Sequence, residues 1–187
     1  KGVYELIGEA FMEEEGETAS ARKIVYHERE GLLYLYGDAV VEGEDVYATG
    51  DTLLYDTETN AVKARGRSTV KRKDFDLTSD YLDYNDELQQ GFASGDVIWA
   101  DSSGTKRIFT DTIRFSADGQ TAKAMSKLQR PMFEWTNENQ DTLYLISDTL
   151  LTFQTVFSEQ DSAGMEISDT TQDFTAFYDV AILREDV

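Results

Sequence analysis

The segment Asp51–Gly66 reads DTLLYDTETNAVKARG, and its pattern recurs along the chain. Counted from the aspartate, aliphatic or aromatic residues stand at +2 and +4, an alanine at +13 and a glycine at +15. Further copies without gaps begin at Asp80 and Asp111, which follow the preceding aspartate by 29 and 31 residues; the last copy has serine in place of glycine. Self-similarity at such a period predicts a repeat architecture in which each copy is one structural unit.

Weaker copies flank these three. Residues 22–37 keep the apolar +2 and +4 positions but begin with Arg22, and residues 148–178 return to the pattern only after a polar insertion at 158–173. Atypical terminal copies are expected where repeats stack on their neighbours. At 187 residues the chain fits one domain, 1–187. The repeats are placed at 22–37, 51–66, 80–95, 111–126 and 148–178.

Each copy is predicted to form a strand, a turn and a second strand. The run Leu53–Tyr55 is rich in aliphatic and aromatic residues, as strands are. Polar, turn-forming stretches follow at 56–60, 85–89 and 116–120, and connections of this length suit β-hairpins. Because no long stretch has helical periodicity, the predicted fold class is all-β, with repeated antiparallel strands.

The spacing of apolar residues around each aspartate predicts a bend. Leu77 lies three residues before Asp80, and Leu82 lies two residues after it, so an unbroken strand would place the two leucines on opposite faces. One bulge or bend near the aspartate brings both to the same face. The repeated bends predict one curved sheet or a flattened solenoid. We assign the structural corners to Asp51, Asp80, Asp111 and Asp148.

The recurrent apolar residues are expected to converge on the inner face of this sheet. Two interpretations remain open, since both an ordinary β core and a lipid-lined groove need an apolar interior. In the second interpretation, the candidate lipid-facing residues are Leu53, Tyr55, Val70, Leu82, Tyr84, Ile98, Ile113, Phe115 and Leu150.

Composition excludes several classes of function. The chain has 37 acidic and 17 basic residues, a net charge of -20, so nucleic acid is a poor partner. It contains no cysteine, which excludes disulfides, thiol catalysis and zinc–thiolate sites. His27 is the single histidine, so neither a histidine-based triad nor a multi-histidine metal site can form. No apolar stretch is long enough to span a membrane, and the start, Lys1-Gly2-Val3-Tyr4, suggests a trimmed or processed fragment.

The acidic residues do not indicate chemistry. The repeated aspartates come singly in each copy, whereas calcium loops need several oxygen ligands close together. The acidic runs Glu13–Glu15 and Glu42–Asp45 are typical of solvated turns, and no spacing singles out an acid and a base. We therefore expect a protein that is not an enzyme and that has neither a cofactor nor a metal site.

Two segments resemble the OstA/LptA family of lipopolysaccharide-transport proteins. The family pattern is an aspartate, an aliphatic-x-aromatic pair, a turn, and then Ala-x-Gly-x-Val; the resemblance extends over about residues 24–153. It is carried by residues 37–70, GDAVVEGEDVYATGDTLLYDTETNAVKARGRSTV, and by residues 77–99, LTSDYLDYNDELQQGFASGDVIW.

The resemblance implies a V-shaped antiparallel β-jellyroll, open at both ends, in the periplasm of a Gram-negative cell. It implies that lipid A acyl chains of lipopolysaccharide lie in the interior. It also implies that copies stack head to tail, with themselves or with related β-jellyroll domains, as a bridge towards the outer membrane. No catalytic residues are implied.

Three functional hypotheses follow. The first is a lipid-conducting module, in which acyl burial at about 0.8 kcal/mol per CH₂ outweighs repulsion between two anionic partners. The second is a structural or adhesive β-solenoid that binds glycan or protein on its outer face, through Trp99, Trp135 or clustered tyrosines. The third and weakest is a hydrolase. An open interior slot favours the first hypothesis, and a filled core favours the second.

Overall fold

A computed structural model of the chain describes residues 2–14, 16–44, 47–72, 75–85, 87–88, 90–116, 121–126, 129–160 and 166–185, with side chains at all of these except 154–160 and 166–172. The described residues contain fourteen β-strands and no helix, and hence no helix long and apolar enough to cross a membrane. The all-β prediction is therefore confirmed. The strands are β1 Val3–Glu14, β2 Glu17–His27, β3 Leu32–Glu42, β4 Tyr47–Asp56, β5 Ala61–Lys71, β6 Phe75–Asn85, β7 Gln90–Asp101, β8 Lys106–Ser116, β9 Thr121–Met125, β10 Met132–Thr136, β11 Thr142–Ile146, β12 Thr149–Gln160, β13 Glu166–Phe177 and β14 Ala181–Glu185.

All strands belong to one antiparallel sheet that does not close into a barrel. Neighbouring strands in the sheet from β1 to β8 are also neighbours in sequence, because short hairpin turns connect them. Beyond β8 the sheet divides. β10 pairs with the first half of β8 and is followed in the sheet by β11, whereas β9 pairs with the second half of β8 and is followed by β12. The sheet ends at β1 on one side and at β13 and β14 on the other. This is the curved antiparallel sheet that the repeat predicts and the open β-jellyroll that the family resemblance implies.

Each strand from β1 to β8 changes register near its middle, and these irregularities divide the sheet into two walls. Between β4 and β5, for example, the pairing Thr49–Thr69 is followed by Thr52–Arg65. Equivalent shifts occur in the pairs from β1–β2 to β7–β8. Wall A comprises 3–7, 23–27, 32–36, 52–56, 61–65, 81–85, 90–94, 112–116, β9, β12 and β13. Wall B comprises 10–14, 17–20, 39–42, 47–49, 68–71, 75–78, 97–101, 106–110, β10, β11 and β14.

Glycines at the register shifts explain why the repeat pairs an aspartate with a glycine fifteen residues later. Gly66 has φ +79° and Gly95 has φ +82°, a left-handed conformation that glycine adopts without a steric penalty. A Cβ on Gly66 would lie 2.6 Å from Cβ of Asp51, and one on Gly95 would lie 2.6 Å from Oδ2 of Asp80. Each aspartate thus covers the glycine of the adjacent strand.

The hydroxyl residue before the aspartate stabilises the same irregularity. Ser79 Oγ donates a hydrogen bond to the carbonyl oxygen of Tyr81 at 3.0 Å, and Ser147 Oγ donates to that of Thr149 at 2.8 Å. At Asp148 the strand is interrupted altogether, since β11 ends two residues before it and β12 begins directly after it. The corner is therefore a bulge in the early copies and a strand break in the last.

The polar insertion at 158–173 extends the sheet. Its backbone continues β12 and β13 as an antiparallel pair, with Ser158 opposite Ser168, while residues 161–165 lie outside the described part. The insertion therefore lengthens the β12–β13 pair at the edge of wall A.

Candidate functional site

Eight of the nine candidate lipid-facing residues are buried on the inner face of the sheet. The exposed fraction is at most 6% for Leu53, Tyr55, Val70, Leu82, Tyr84, Ile113, Phe115 and Leu150. All but Val70 belong to wall A. Their contact with lipid remains a prediction, because burial alone does not distinguish a ligand surface from a packed core.

Ile98 lies on the other face. It is half-buried and sits between Val97 and Trp99, both of which are buried. Because successive side chains of a strand point to opposite faces, Ile98 faces outward, opposite Phe109 of β8. The bulge at Gly95 sets this alternation, so Trp99 takes the interior place.

Wall B supplies interior residues that the sequence-based set lacks. Phe75, Leu77, Ile108 and Phe133 are at most 5% exposed. The signal for Leu77 and Ile108 is present in the sequence, since both precede a corner aspartate by three residues. The sequence gives no such signal for Phe133, because no corner aspartate follows it three residues later.

Aromatic rings fill the middle of the space between the walls. The ring centroids of Phe75 and Phe115, from opposite walls, are 5.3 Å apart in an edge-on arrangement. Tyr84 stacks on Phe115 with centroids 6.4 Å apart. A Cβ on Gly91 would lie 2.6 Å from Cε1 of Phe115, so this position has no room for a side chain. The centre of the molecule is a packed core.

The space opens towards the β1 end, where we define an N-terminal cleft of about 270 Å³. Side chains of both walls line it, with apolar groups inside and polar groups at the mouth. The lining residues are Met12, Glu14, Glu17, Thr18, Ala19, Tyr26, Leu33, Val41, Tyr55 and Thr57.

A polar clasp joins the two walls at this cleft. The hydroxyl of Tyr55, in wall A, lies 2.9 Å from Oε2 of Glu17, in wall B, and 2.8 Å from Oδ1 of Asn60. A tyrosine hydroxyl carries one proton and donates it to one acceptor at a time. A second contact between the walls is made by Arg72, whose guanidinium lies 5.0 Å from the ring centroid of Tyr84. In the described part of the chain, these two contacts between side chains join the free margins of the walls, and we call this line of contact the seam.

The mouth of the cleft is acidic. Burial, together with the negative charges of Glu14, Glu28 and Glu58, raises the pKa of Tyr26 above its ordinary value. Tyr26 is therefore a neutral hydroxyl at physiological pH. Carboxylates at the rim repel anionic head groups, so the cleft is suited to an apolar chain.

The corner aspartates lie outside this space. Asp80 pairs with Arg67 at 3.5 Å and Asp148 pairs with Arg130 at 3.0 Å, both on the surface. Asp111 accepts a short hydrogen bond from Ser126, the residue that replaces the repeat glycine. Within the described ranges, no three histidine, aspartate or glutamate side chains come together as metal ligands.

Both ends of the sheet expose apolar side chains. On β1, Val3 is 64% exposed, Ile7 75% and Phe11 57%. On β14, Ile182 is 66% and Leu183 55% exposed. Edge strands carry unpaired backbone N–H and C=O groups, and natural proteins usually protect them with charge. Both ends of the sheet thus combine edge strands with exposed apolar side chains.

Comparison with known proteins supports the fold. No protein-family model and no curated protein matches the chain. The structure is similar to the crystal structure of LptH, the LptA-homologous periplasmic component of the lipopolysaccharide-transport device of Pseudomonas aeruginosa. The TM-score is 0.50 and the identity 14%, over 59% of this chain and 82% of LptH. At this identity the likeness shows the fold: this chain has the LptA-like β-jellyroll architecture.

Proposed function

We propose that this protein is a non-enzymatic periplasmic module that carries lipopolysaccharide towards the outer membrane, with acyl chains held between its two walls. The observation that carries the proposal is the N-terminal cleft, a space between the walls of an open jellyroll that has apolar groups inside and polar groups at its mouth. The likeness to LptH supports the same assignment.

Apolar burial supplies the binding free energy in this proposal. Each CH₂ group removed from water contributes about 0.8 kcal/mol, whereas repulsion between surface charges is weakened by salt. The cleft, at about 270 Å³, is slightly smaller than the range of about 300–1,000 Å³ for ligand pockets. It accommodates a segment of one chain, and further chains enter when the walls part at the seam of side-chain contacts.

Filling the cleft is expected to block lipid binding. Ala19→Phe places a ring among Met12, Val41 and the other lining groups. If the ring displaces two methylene groups, the loss of about 1.6 kcal/mol weakens binding at least tenfold. Binding of a fluorescent fatty acid and of purified lipopolysaccharide, measured by fluorescence titration, tests this.

The matched control is Val40→Phe, on the outward-facing side of β3 beside the buried Val41. It adds a ring of similar size without entering the cleft, so binding should equal that of the parent. Parent protein that binds neither probe, or Ala19→Phe protein that binds both as well as the parent, would contradict the proposal.

We further propose that copies associate head to tail through β1 of one copy and the β13–β14 edge of the next. Strand addition of this kind uses the unpaired backbone groups of both edges. Because the two surfaces differ, the contact is heterologous and leads to open filaments. Its partners include related β-jellyroll domains.

Ile7→Glu is expected to weaken self-association at least tenfold, because burial of an isoleucine side chain contributes about 1.5–3 kcal/mol. Tyr36→Glu is the control, since it changes the charge equally on an exposed side chain away from the edge. Sedimentation velocity over a concentration series measures both. Association should strengthen as salt is raised, because each copy carries a charge of -20; association that is unaffected by Ile7→Glu would rule out the β1 contact.

The second candidate is a structural or adhesive β-solenoid. The filled aromatic centre around Phe75 and Phe115 favours it. Of the two tryptophans considered for outer-face recognition, Trp99 is buried and Trp135 is 43% exposed, so only Trp135 is available to a partner. The lipid-binding experiment distinguishes the two candidates. Lipid binding by the parent protein that is lost in Ala19→Phe supports the first candidate over the β-solenoid.

A further inference from the structure

The outer face of wall A carries a shallow depression of about 360 Å³ over strands β7, β8, β9 and β12. Its floor is formed at Gly91, Phe115, Ala122 and Thr152, which belong to the inner face. Because side chains alternate along a strand, the remaining lining residues face outward. We define the cationic depression by Gln90, Arg114, Thr121, Lys123, Leu151 and Phe153.

Two cations stand side by side in this depression. Arg114 of β8 and Lys123 of β9 are directly opposite in the register, and like charges in that position destabilise a sheet. Among the described residues, neither forms an ion pair, although acidic side chains outnumber basic ones by 37 to 17. Several other exposed cations are paired, for example Lys63 with Asp83 at 2.9 Å and Lys71 with Asp76 at 3.7 Å. Packing gives no reason for an unneutralised pair.

The Arg114 guanidinium is held in place by an aromatic ring. Its Cζ atom lies 5.0 Å from the ring centroid of Phe92 on β7, a cation–π contact that leaves the N–H edges free. A planar guanidinium with free N–H edges binds phosphate through two parallel hydrogen bonds, and a neighbouring ammonium adds a point charge.

The surroundings of the two cations suit a saccharide. Gln90 offers hydrogen-bond donors and an acceptor, and the Thr121 hydroxyl, which donates to Ser116 at 3.1 Å, offers an acceptor to sugar hydroxyl groups. Phe153, which is 40% exposed, and Leu151 provide apolar surface on the other side. The volume lies at the small end of ligand pockets. A nucleic acid is a poor alternative, because its extended phosphate backbone would meet the field of a chain with charge -20.

We infer that the cationic depression binds a phosphorylated saccharide. Arg114 and Lys123 hold the phosphate, Gln90 and Thr121 contact sugar hydroxyls, and Phe153 lies against the ring. The site is on the outer face and uses no residue of the N-terminal cleft, so it does not depend on lipid carriage. A free sugar phosphate and the head group of a glycolipid share this chemistry.

Isothermal titration calorimetry with glucosamine 1-phosphate, glucosamine and inorganic phosphate tests the inference. The sugar phosphate should bind more tightly than either fragment. Arg114→Gln and Lys123→Gln should each weaken binding about tenfold, since each removes a charge-assisted hydrogen bond. Lys71→Gln, a paired cation on the outer face of wall B, should leave binding unchanged.

Both test variants should fold, because each relieves the repulsion between the two cations. The unfolding temperature should be at or above that of the parent for Lys123→Gln and close to it for Arg114→Gln, which also loses the cation–π contact with Phe92. Three results would overturn the inference: sugar phosphate bound no better than glucosamine, sugar phosphate bound no better than inorganic phosphate, or full binding by the double variant. To distinguish the sources, lipopolysaccharide should be titrated before and after enzymatic dephosphorylation. If Arg114→Gln binds intact lipopolysaccharide more weakly than the parent, and this difference is absent with dephosphorylated lipopolysaccharide, the site belongs to the head group. If dephosphorylation does not change the binding of lipopolysaccharide, the site belongs to free sugar phosphates.

Discussion

Phe115→Ala is expected to lower the free energy of unfolding by about 3–5 kcal/mol, as in other large-to-small aromatic substitutions in a core. Phe115 is 6% exposed and contacts rings of both walls, Phe75 at 5.3 Å and Tyr84 at 6.4 Å between centroids. Its removal leaves a cavity at the centre of the sandwich, where Gly91 provides no side chain to fill it. Urea denaturation followed by tryptophan fluorescence measures the loss.

Phe109→Ala is the matched control. Phe109 lies on the same strand, six residues earlier, but it is half-buried on the outer face. Its truncation should cost about 1 kcal/mol or less, the size of a cross-strand pair contribution. Equal losses for the two variants would mean that the interior at Phe115 is not the packed core that the contacts indicate.

Gly66→Ala is expected to lower the free energy of unfolding by about 2–5 kcal/mol, the sum of two contributions. A residue with a Cβ pays about 1–2 kcal/mol for the left-handed conformation at φ +79°. The new methyl group would also lie 2.6 Å from Cβ of Asp51, and forced overpacking adds about 1–3 kcal/mol. Rotation of the Asp51 side chain cannot relieve this, because its Cβ is fixed to the backbone.

Gly104→Ala separates the cost of the left-handed conformation from the cost of overpacking. Gly104 has φ +71°, but no atom lies within 4 Å of the position that a Cβ would take there, so it should lose only the conformational part, about 1–2 kcal/mol. Asp51→Gly in the Gly66→Ala background should recover the packing part. A Gly66→Ala protein as stable as the Gly104→Ala protein would show that the aspartate does not constrain the bend.

The large stability losses expected for substitutions in the core limit which variants can test lipid binding. Leu82 and Ile113 are at most 1% exposed in the packed part of the interior, so a charged substitution there would bury an unpaired carboxylate and unfold the protein. Such variants would lose binding for a reason unrelated to lipid. The N-terminal cleft is the region where a substitution can change the ligand surface and leave the core intact.

Sequence periodicity was sufficient to predict the sheet and its bend. The spacing of Leu77, Asp80 and Leu82 predicts that a corner brings both leucines to one face, and both are 1% exposed. The reason is local: side chains alternate with a period of two, so one extra residue at a bulge reverses the parity. The same rule, applied one strand further along, would have placed Ile98 outside once Trp99 was placed inside.

The tertiary structure alone decided how open the interior is and where cations gather. An apolar repeat is consistent with a groove or with a packed core, and only the contact between Phe75 and Phe115 across the walls fills the centre and leaves the cleft at the β1 end. Likewise, Arg114 and Lys123 are nine residues apart in a chain of charge -20, and only the register of β8 with β9 makes them neighbours. Local alternation can be read from one strand, whereas charge across strands depends on the register of the pairing, and packing between walls depends on residues distant in sequence.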